Sequence, residues 1–401
     1  MGLLPDISRY PGVGRATRAV VDLDAFEGNI RALRAFVGPA VELTAVLKAN
    51  AYGHGAPMMS AAAVAAGADQ LAVATVGEGA QLRAAGTTAP VMVLGAVDLG
   101  EVEAALEADL ELTIGTAELL DRVEATVARC AARRSRPVRL HVKVDTGLRR
   151  YGAYPELAAG LARRVAANPN LTLEGLFTHF ATSEDEDDPF AEEQYAALRA
   201  VSERLAAEGV VARRVHAANS GGVLGGSAFH AGAVRPGIAI YGIAPSADRP
   251  LLPGMRPVMT LRSRLVRLFP LSPGDTVGYG RTFRAGRSIL AGLVPIGYAD
   301  GYRRQLSGRG WMAVQGERAP VLGRVSMDQT VVELPAGAEH RVGDEVVVAG
   351  ADPAGVAPTM DQLGEIVGTN SYEMLVGVSA RVPRHYVRGG KLVAVAEGLV
   401  V

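Results

Sequence analysis

The sequence predicts an α/β protein: an N-terminal parallel (β/α)8 TIM-like barrel followed by a mostly β C-terminal domain. Three observations carry this. Between about residue 42 and 243, short apolar runs alternate with segments of helical apolar spacing. About eight such units over roughly 200 residues suit a closed parallel barrel, and strand counting alone leaves a doubly wound open sheet as the alternative. After the Pro-rich "APSADRPLLPGM" the helical period fades, and strand-like runs follow one another across Gly and Pro turns.

In order, the barrel runs are "ELTAVLK", "QLAVATV", "APVMVLGA", "LELTIGT", "VRLHVKVDT", "TLEGLFTHF", "RRVHAANS" and "GIAIYG". Between them, "APMMSAAAVAAGA", "TAELLDRVEATVARCAARR", "YPELAAGLARRVAAN" and "PFAEEQYAALRAVSERLAAEG" carry the one-faced apolar spacing of packed helices. The second domain strings together "MTLRSRLVRLF", "GDTVGYGRTF", "SILAGLVPIGYADG", "WMAVQG", "ERAPVLGRVSMDQTVVELP", "GDEVVVAG" and "KLVAVAE", with one helix near "TMDQLGEIVG". The expected division is 14–253 for the barrel and 254–401 for the β domain, residues 1–13 packing with the latter.

Lys+Arg 41 against Asp+Glu 42 gives a net charge of −1, which argues against a protein held to nucleic acid by a bulk positive field. Cys130 is the only cysteine, so neither an intrachain disulfide nor a thiolate zinc cluster can form; within a helical pattern it reads as a buried structural thiol. The start of the chain lacks the pattern of a signal peptide, and no apolar stretch reaches membrane-spanning length, so a cytoplasmic protein without membrane contact is expected. The scattered histidines lack ligand spacing, and no metal is expected.

Only three of the 41 basic residues are lysine: Lys48, Lys143 and Lys391. Where Arg serves almost every need for positive charge, the remaining lysines are enriched for sites that need a deprotonatable amine. Lys391, in "RGGKLVAV", reads as an ordinary surface residue. Barrel active sites collect at the C-terminal ends of the strands. Lys48 ends the first run, Lys143 and Asp145 the fifth and His179 the sixth; Asn219 and Ser220 follow the seventh, and Arg235 precedes "PGIAIYG". His141 and His216, within strands, read as packed residues. "GVGRAT" at 12–17 lacks the third glycine of a dinucleotide loop, whereas "ANSGG" and "RPGI" offer the donors that hold a lone phosphate. A rim lysine beside a phosphate cradle suggests pyridoxal phosphate held as a Schiff base.

"AVLKANAYGHG" at 45–55 resembles the cofactor-lysine motif of alanine racemase, a fold-type III pyridoxal-phosphate enzyme. "KVDTGLRRYG", "FTHFA", "AANSGG", "RPGIAIYG", "VGYGRTF", "PIGYADGY", "GRVSMDQ" and "GTNSYE" match further family segments in family order, across nearly the whole chain. Leu148 and Tyr151 depart mildly from the family pattern. The resemblance implies that Lys48 is the Schiff-base lysine and one acid/base group, and that Tyr279, reaching into a partner subunit, is the other. It places Arg235 against the pyridine nitrogen. Tyr52, Ser220, Gly237, Ile238 and Tyr372 would hold the phosphate, and Asn219 belongs to the same cofactor set. His179 would link Tyr279 to Arg235. Arg150, Met327 and Asp328 would serve the substrate, Tyr298 would narrow the entrance, and Lys143 is a site of possible carbamylation.

The implied activity is interconversion of L- and D-alanine by a homodimer, supplying D-alanine for peptidoglycan. Chemically, racemisation removes a proton from one face of Cα and returns one to the other, which two opposed bases achieve without turning the substrate. A guanidinium against the ring nitrogen titrates too high to donate its proton, so the ring stays a weak electron sink. A racemase of serine or another small amino acid and a barrel-type decarboxylase are alternative enzymes. A non-catalytic pyridoxal-phosphate carrier is the alternative outside enzymology.

Overall fold

Apolar strands covered on both faces build the first unit. The computed structural model describes residues 14–130 and 136–397. The side chain of Cys130 and the segment 1–13 lie outside the described residues. Eight parallel strands close a barrel in chain order: Glu42–Val46, Gln70–Val73, Val91–Val93, Glu111–Ile114, Val138–Lys143, Leu171–Phe177, Arg214–His216 and Ala233–Val234. Gln70–Val73, Val91–Val93 and Glu111–Ile114 are buried at every position. The connecting helices stop and start on local signals. Val76–Ala84 opens with a capping box between Thr75 and Glu78, and Pro155–Ala167 begins on a proline whose missing N–H costs nothing there.

The run "GIAIYG" is not the eighth strand. Ala233–Val234 pairs with Glu42–Val46 and closes the ring, while Ile238–Tyr241 coils into a 3-10 turn. Pro236 lies between them and has no N–H with which to extend the ladder. Arg235 therefore sits at the carboxyl end of the last barrel strand.

The second unit gathers residues 14–24, Tyr52–Gly55 and 257–397. Its seven-stranded sheet runs in the order Glu317–Pro320, Trp311–Val314, Glu345–Ala349, Met259–Arg264, Arg18–Asp22, Arg384–Arg388 and Lys391–Ala396. Arg18–Asp22 pairs antiparallel with Met259–Arg264 and parallel with Arg384–Arg388, so an N-terminal strand occupies the sheet interior. Its Ala19 and Val21 are fully buried, the alternation of a strand with one face on a core. Arg267–Leu271, Ile289–Val294 and Thr330–Glu333 form a separate three-stranded sheet, and Val321, just past Glu317–Pro320, makes an isolated bridge to Val332 in it.

"ERAPVLGRVSMDQTVVELP" is not one strand: Glu317–Pro320 and Thr330–Glu333 belong to different sheets. Gly323 marks the break at φ 69°, where an added Cβ would stand 2.6 Å from the carbonyl of Val277. Among the described residues, residues 257–397 hold two α-helices, Met360–Val367 and a short one, Ser371–Val376, capped by Asn370. Among the described residues, no helix is long and apolar enough to cross a membrane.

Candidate active site

In the barrel unit, Lys48 stands two residues beyond the end of the first strand, after Leu47. Ala49, Asn50, Ala51 and Tyr52 then take four consecutive left-handed conformations, with φ of 53°, 54°, 55° and 51°, before Gly53 at 81°. L-residues avoid this region at roughly 1–2 kcal/mol each, so neighbouring bonds must hold the turn. The Ala51 N–H donates to the Leu47 carbonyl at 2.8 Å and the Ala49 N–H to Glu78 Oε1 at 2.6 Å. The Ala56 N–H donates to Asn50 Oδ1 at 2.8 Å. Strain of this kind concentrates at functional sites. Here it lies immediately after the lysine.

Basic groups converge on this rim. Burial, then the charge of Arg150, lowers the Lys48 amine below its ordinary range, with Glu78 opposing. Lys143 is buried and pushed down to about 8 by burial, then by Arg150 and Arg235; Asp145 opposes. Its Nζ stands 5.6 Å from the ring centres of both Tyr151 and Phe177. The Asp145 carboxylate accepts the Gly147 and Arg149 N–H groups at 2.9 and 3.1 Å. His179 lies well below its usual value through burial and the charges of Arg235, Lys143, Arg150 and Lys48, so it is neutral. Such a field favours an anion.

The residues expected to hold a phosphate form a hydrogen-bonded cluster on the same unit. Ser220 Oγ accepts the Gly237 N–H at 2.9 Å and the Ala239 N–H at 3.2 Å, all in buried positions, and Ile238 starts the turn between them. Asn219 caps the segment Ser220–Leu224 and accepts from Ser183 Oγ at 2.7 Å.

Arg235 is fully enclosed and fixed by three bonds: Nη1 to His216 Nδ1 at 2.6 Å, and Nη2 to the carbonyls of Thr178 at 2.8 Å and Ala217 at 2.9 Å. Burial pushes it down to about 9, still cationic at neutral pH. Its Nε has no hydrogen-bond partner among the described residues, an open donor that fits a ring nitrogen. The imidazole bonded to Arg235 is that of His216, not His179. Sequence reasoning read His216 as packing, and no local signal marks it otherwise.

In the β unit, Tyr52 and Tyr372 face each other with ring centres 6.2 Å apart. Tyr279 is 71% exposed on a 3-10 turn between Gly278 and Gly280, at φ 72° and 70°. Tyr298 and Met327 are also exposed, and their turns are stitched together: the Tyr298 N–H donates to the Ser326 carbonyl and the Ala299 N–H to that of Met327. Asp328 receives Arg381 Nη2 at 2.5 Å, and Arg381 Nε donates to the fully buried Asp300 at 2.6 Å. Asp300 also pairs with Arg15 and accepts the Gly297 N–H. Asp300 and Arg381 were missed by sequence reasoning, though Asp300 stands inside the quoted "PIGYADGY".

The family model described as alanine racemase, N-terminal domain, matches residues 21–245, and that for the alanine racemase C-terminal domain matches 258–386. The chain belongs to the alanine racemase family. Among its relatives, the alanine racemase of Desulfovibrio desulfuricans is 38% identical, covering 93% of this chain and 98% of that protein. That of Symbiobacterium thermophilum is 40% identical, covering 93% and 97%. The solved alanine racemase of Bacillus anthracis with bound L-Ala-P aligns at a TM-score of 0.88 and 35% identity, over 96% of this chain and 98% of that one. The enzyme from D-cycloserine-producing Streptomyces lavendulae aligns at 0.88 and 37%, over 94% and 98%.

Proposed function

We propose that this family member is a cytoplasmic, homodimeric, pyridoxal-phosphate-dependent alanine racemase that supplies D-alanine for peptidoglycan. The carrying observation is Lys48: an amine below its ordinary pKa at the carboxyl end of a barrel strand, in a chain of this family. The proposed division of labour puts the cofactor on residues 14–253 and the second base on 254–401. When bound, the cofactor supplies an electron sink that acidifies the Cα–H of the joined amino acid.

The chain's own residues do the rest. Lys48 moves a proton on one face of Cα, and Tyr279 of a second copy moves one on the other. Its 71% exposure in the single chain supports a role completed by that copy. Arg235 directs its open Nε at the ring nitrogen. Ser220, Gly237, Ile238 and Asn219 hold the phosphate with Tyr52 and Tyr372. Arg150, Met327 and Asp328 serve the substrate side, His179 stays neutral beside Arg235, and Tyr298 narrows the entrance. Carbamylation of Lys143 would place a negative charge among Arg150, Arg235 and Lys48, which the positive field there supports. The mass of one added carboxylate checks it; an unmodified amine at ample bicarbonate speaks against it.

The test is incubation of the pure protein with L-alanine in D₂O, followed by chiral analysis beside serine and longer amino acids. Cα deuteration with loss of optical purity, greatest for alanine, is expected; inertness supports a carrier instead. Lys48→Ala loses the cofactor's visible absorbance, and Tyr279→Phe keeps it but loses racemisation. Full activity in Tyr279→Phe refutes the two-base scheme.

A further inference from the structure

The interior of a parallel barrel is ordinarily filled with branched aliphatic side chains. Here a chain of polar groups runs through it, from Arg235 to His216, His141 and Glu111, each no more than 3% exposed. His216 Nε2 lies 3.1 Å from His141 Nδ1, and His141 Nε2 lies 2.8 Å from Glu111 Oε2. Gln70 Nε2 donates to the same carboxylate at 2.6 Å, and Arg139 Nη1 pairs with its other oxygen at 2.7 Å.

The direction of every bond follows from one fact: a guanidinium only donates. His216 Nδ1 must therefore accept from Arg235. Burial and the Arg235 charge keep His216 neutral, so its single proton is on Nε2. That proton goes to His141 Nδ1, which must be bare, and His141 donates from Nε2 to Glu111. Burial alone would raise the Glu111 carboxyl, but the hydrogen bond from His141, with that from Gln70 and the pairing with Arg139, keeps it an anion. Two neutral imidazoles thus join a buried cation to a buried anion.

A second observation is independent of charge. Gly175, inside the strand Leu171–Phe177, leaves room for the bridge: a Cβ there would stand 2.1 Å from His141 Nδ1 and 2.8 Å from His216 Nε2. A glycine in a strand interior weakens it unless something must approach closely. Here two rings do.

We propose that Glu111 is a positioning residue for Arg235, acting through His141 and His216 to keep the guanidinium in place and charged while it faces the cofactor's ring nitrogen. This rests on the cofactor reading above. Its consequence is reaction specificity. Without Glu111 the guanidinium is both less fixed and more acidic, and the ring nitrogen gains proton character. That favours transamination, in which alanine's nitrogen stays on the cofactor while one water breaks the C=N bond to the former Cα and supplies the oxo oxygen, so that the carbon skeleton leaves as the 2-oxo acid. The Cα proton and its two bonding electrons then end on the cofactor's former aldehyde carbon.

Cofactor-free wild-type protein labelled with nitrogen-15 histidine gives the first readout. Two-bond nitrogen–proton correlation is expected to show His141 and His216 neutral near neutral pH, both protonated at Nε2. Either ring charged, or protonated at Nδ1, overturns the proposal even if no variant folds. The second readout is the ratio of 2-oxo acid formed to racemisation turnovers in holoenzyme. Glu111→Gln keeps an acceptor for His141 but removes the charge; Gly175→Ala keeps every charge and parts the rings. Each is expected to raise the ratio about tenfold or more, the effect of one pKa unit at Arg235, and a ratio within about twofold of wild type in either folded variant overturns the proposal. Wild-type protein that neither binds the cofactor nor racemises alanine overturns the cofactor reading instead.

Discussion

Replacing Ala49 by glycine and by valine tests the left-handed turn that follows Lys48. Ala49 lies at φ 53°, ψ 50°, and is exposed, so its methyl contributes little packing. Its N–H donates to Glu78, a bond that either substitution keeps. An L-residue in this region costs roughly 1–2 kcal/mol, which glycine escapes. Against that relief stands the freedom glycine gains in the unfolded chain, about 0.5–1 kcal/mol. The balance is a stabilisation of about 0.5 kcal/mol for Ala49→Gly. Ala49→Val has the opposite sign: a β-branched side chain at positive φ is an outlier, and a loss of about 2 kcal/mol is expected. Urea titration followed by far-ultraviolet circular dichroism compares the midpoints of the barrel transition at equal slope. A lower midpoint for Ala49→Gly, or an unchanged one for Ala49→Val, would refute the left-handed assignment and the strain reasoning with it.

Ser220→Ala removes the oxygen that accepts two buried amides, those of Gly237 and Ala239. The cofactor-free protein should lose about 1–3 kcal/mol, and an unchanged melting midpoint would contradict this. For Asp300, burial raises the carboxyl, but hydrogen bonds from Arg15, Arg381 and the Gly297 amide outweigh it and leave the folded value depressed. Its stabilisation is therefore present above the unfolded pKa of about 4 and fades as the pH falls below it. Asp300→Asn should lower the melting midpoint near neutral pH and flatten its acid limb; curves parallel to wild type would count against the pairing.

Alternation of apolar runs with helical spacing determined the parallel α/β class and put Lys48 near the end of its first strand, while closure of the sheet into a barrel was left to the pairing of Ala233–Val234 with Glu42–Val46. Those features are local: a period of two or 3.6 residues is written in neighbouring side chains. The motifs of the proposed site were likewise contiguous, so Ser220 and Arg235 could be proposed from short stretches and Tyr279 from the resemblance of "VGYGRTF" to a family segment. Tertiary structure decided the rest. Ala233–Val234, a run too short to show a period, became the eighth strand because ring closure needed an edge to pair with Glu42–Val46. Arg18–Asp22 entered the β sheet through partners more than two hundred residues away. His216, His141 and Glu111 lie on separate strands, and only the lateral pairing and register of those strands bring them into line with Arg235. Asp300 and Arg381 meet the same way, 81 residues apart. Hydrogen bonds between distant strands depend on register and closure, which no short-range pattern encodes.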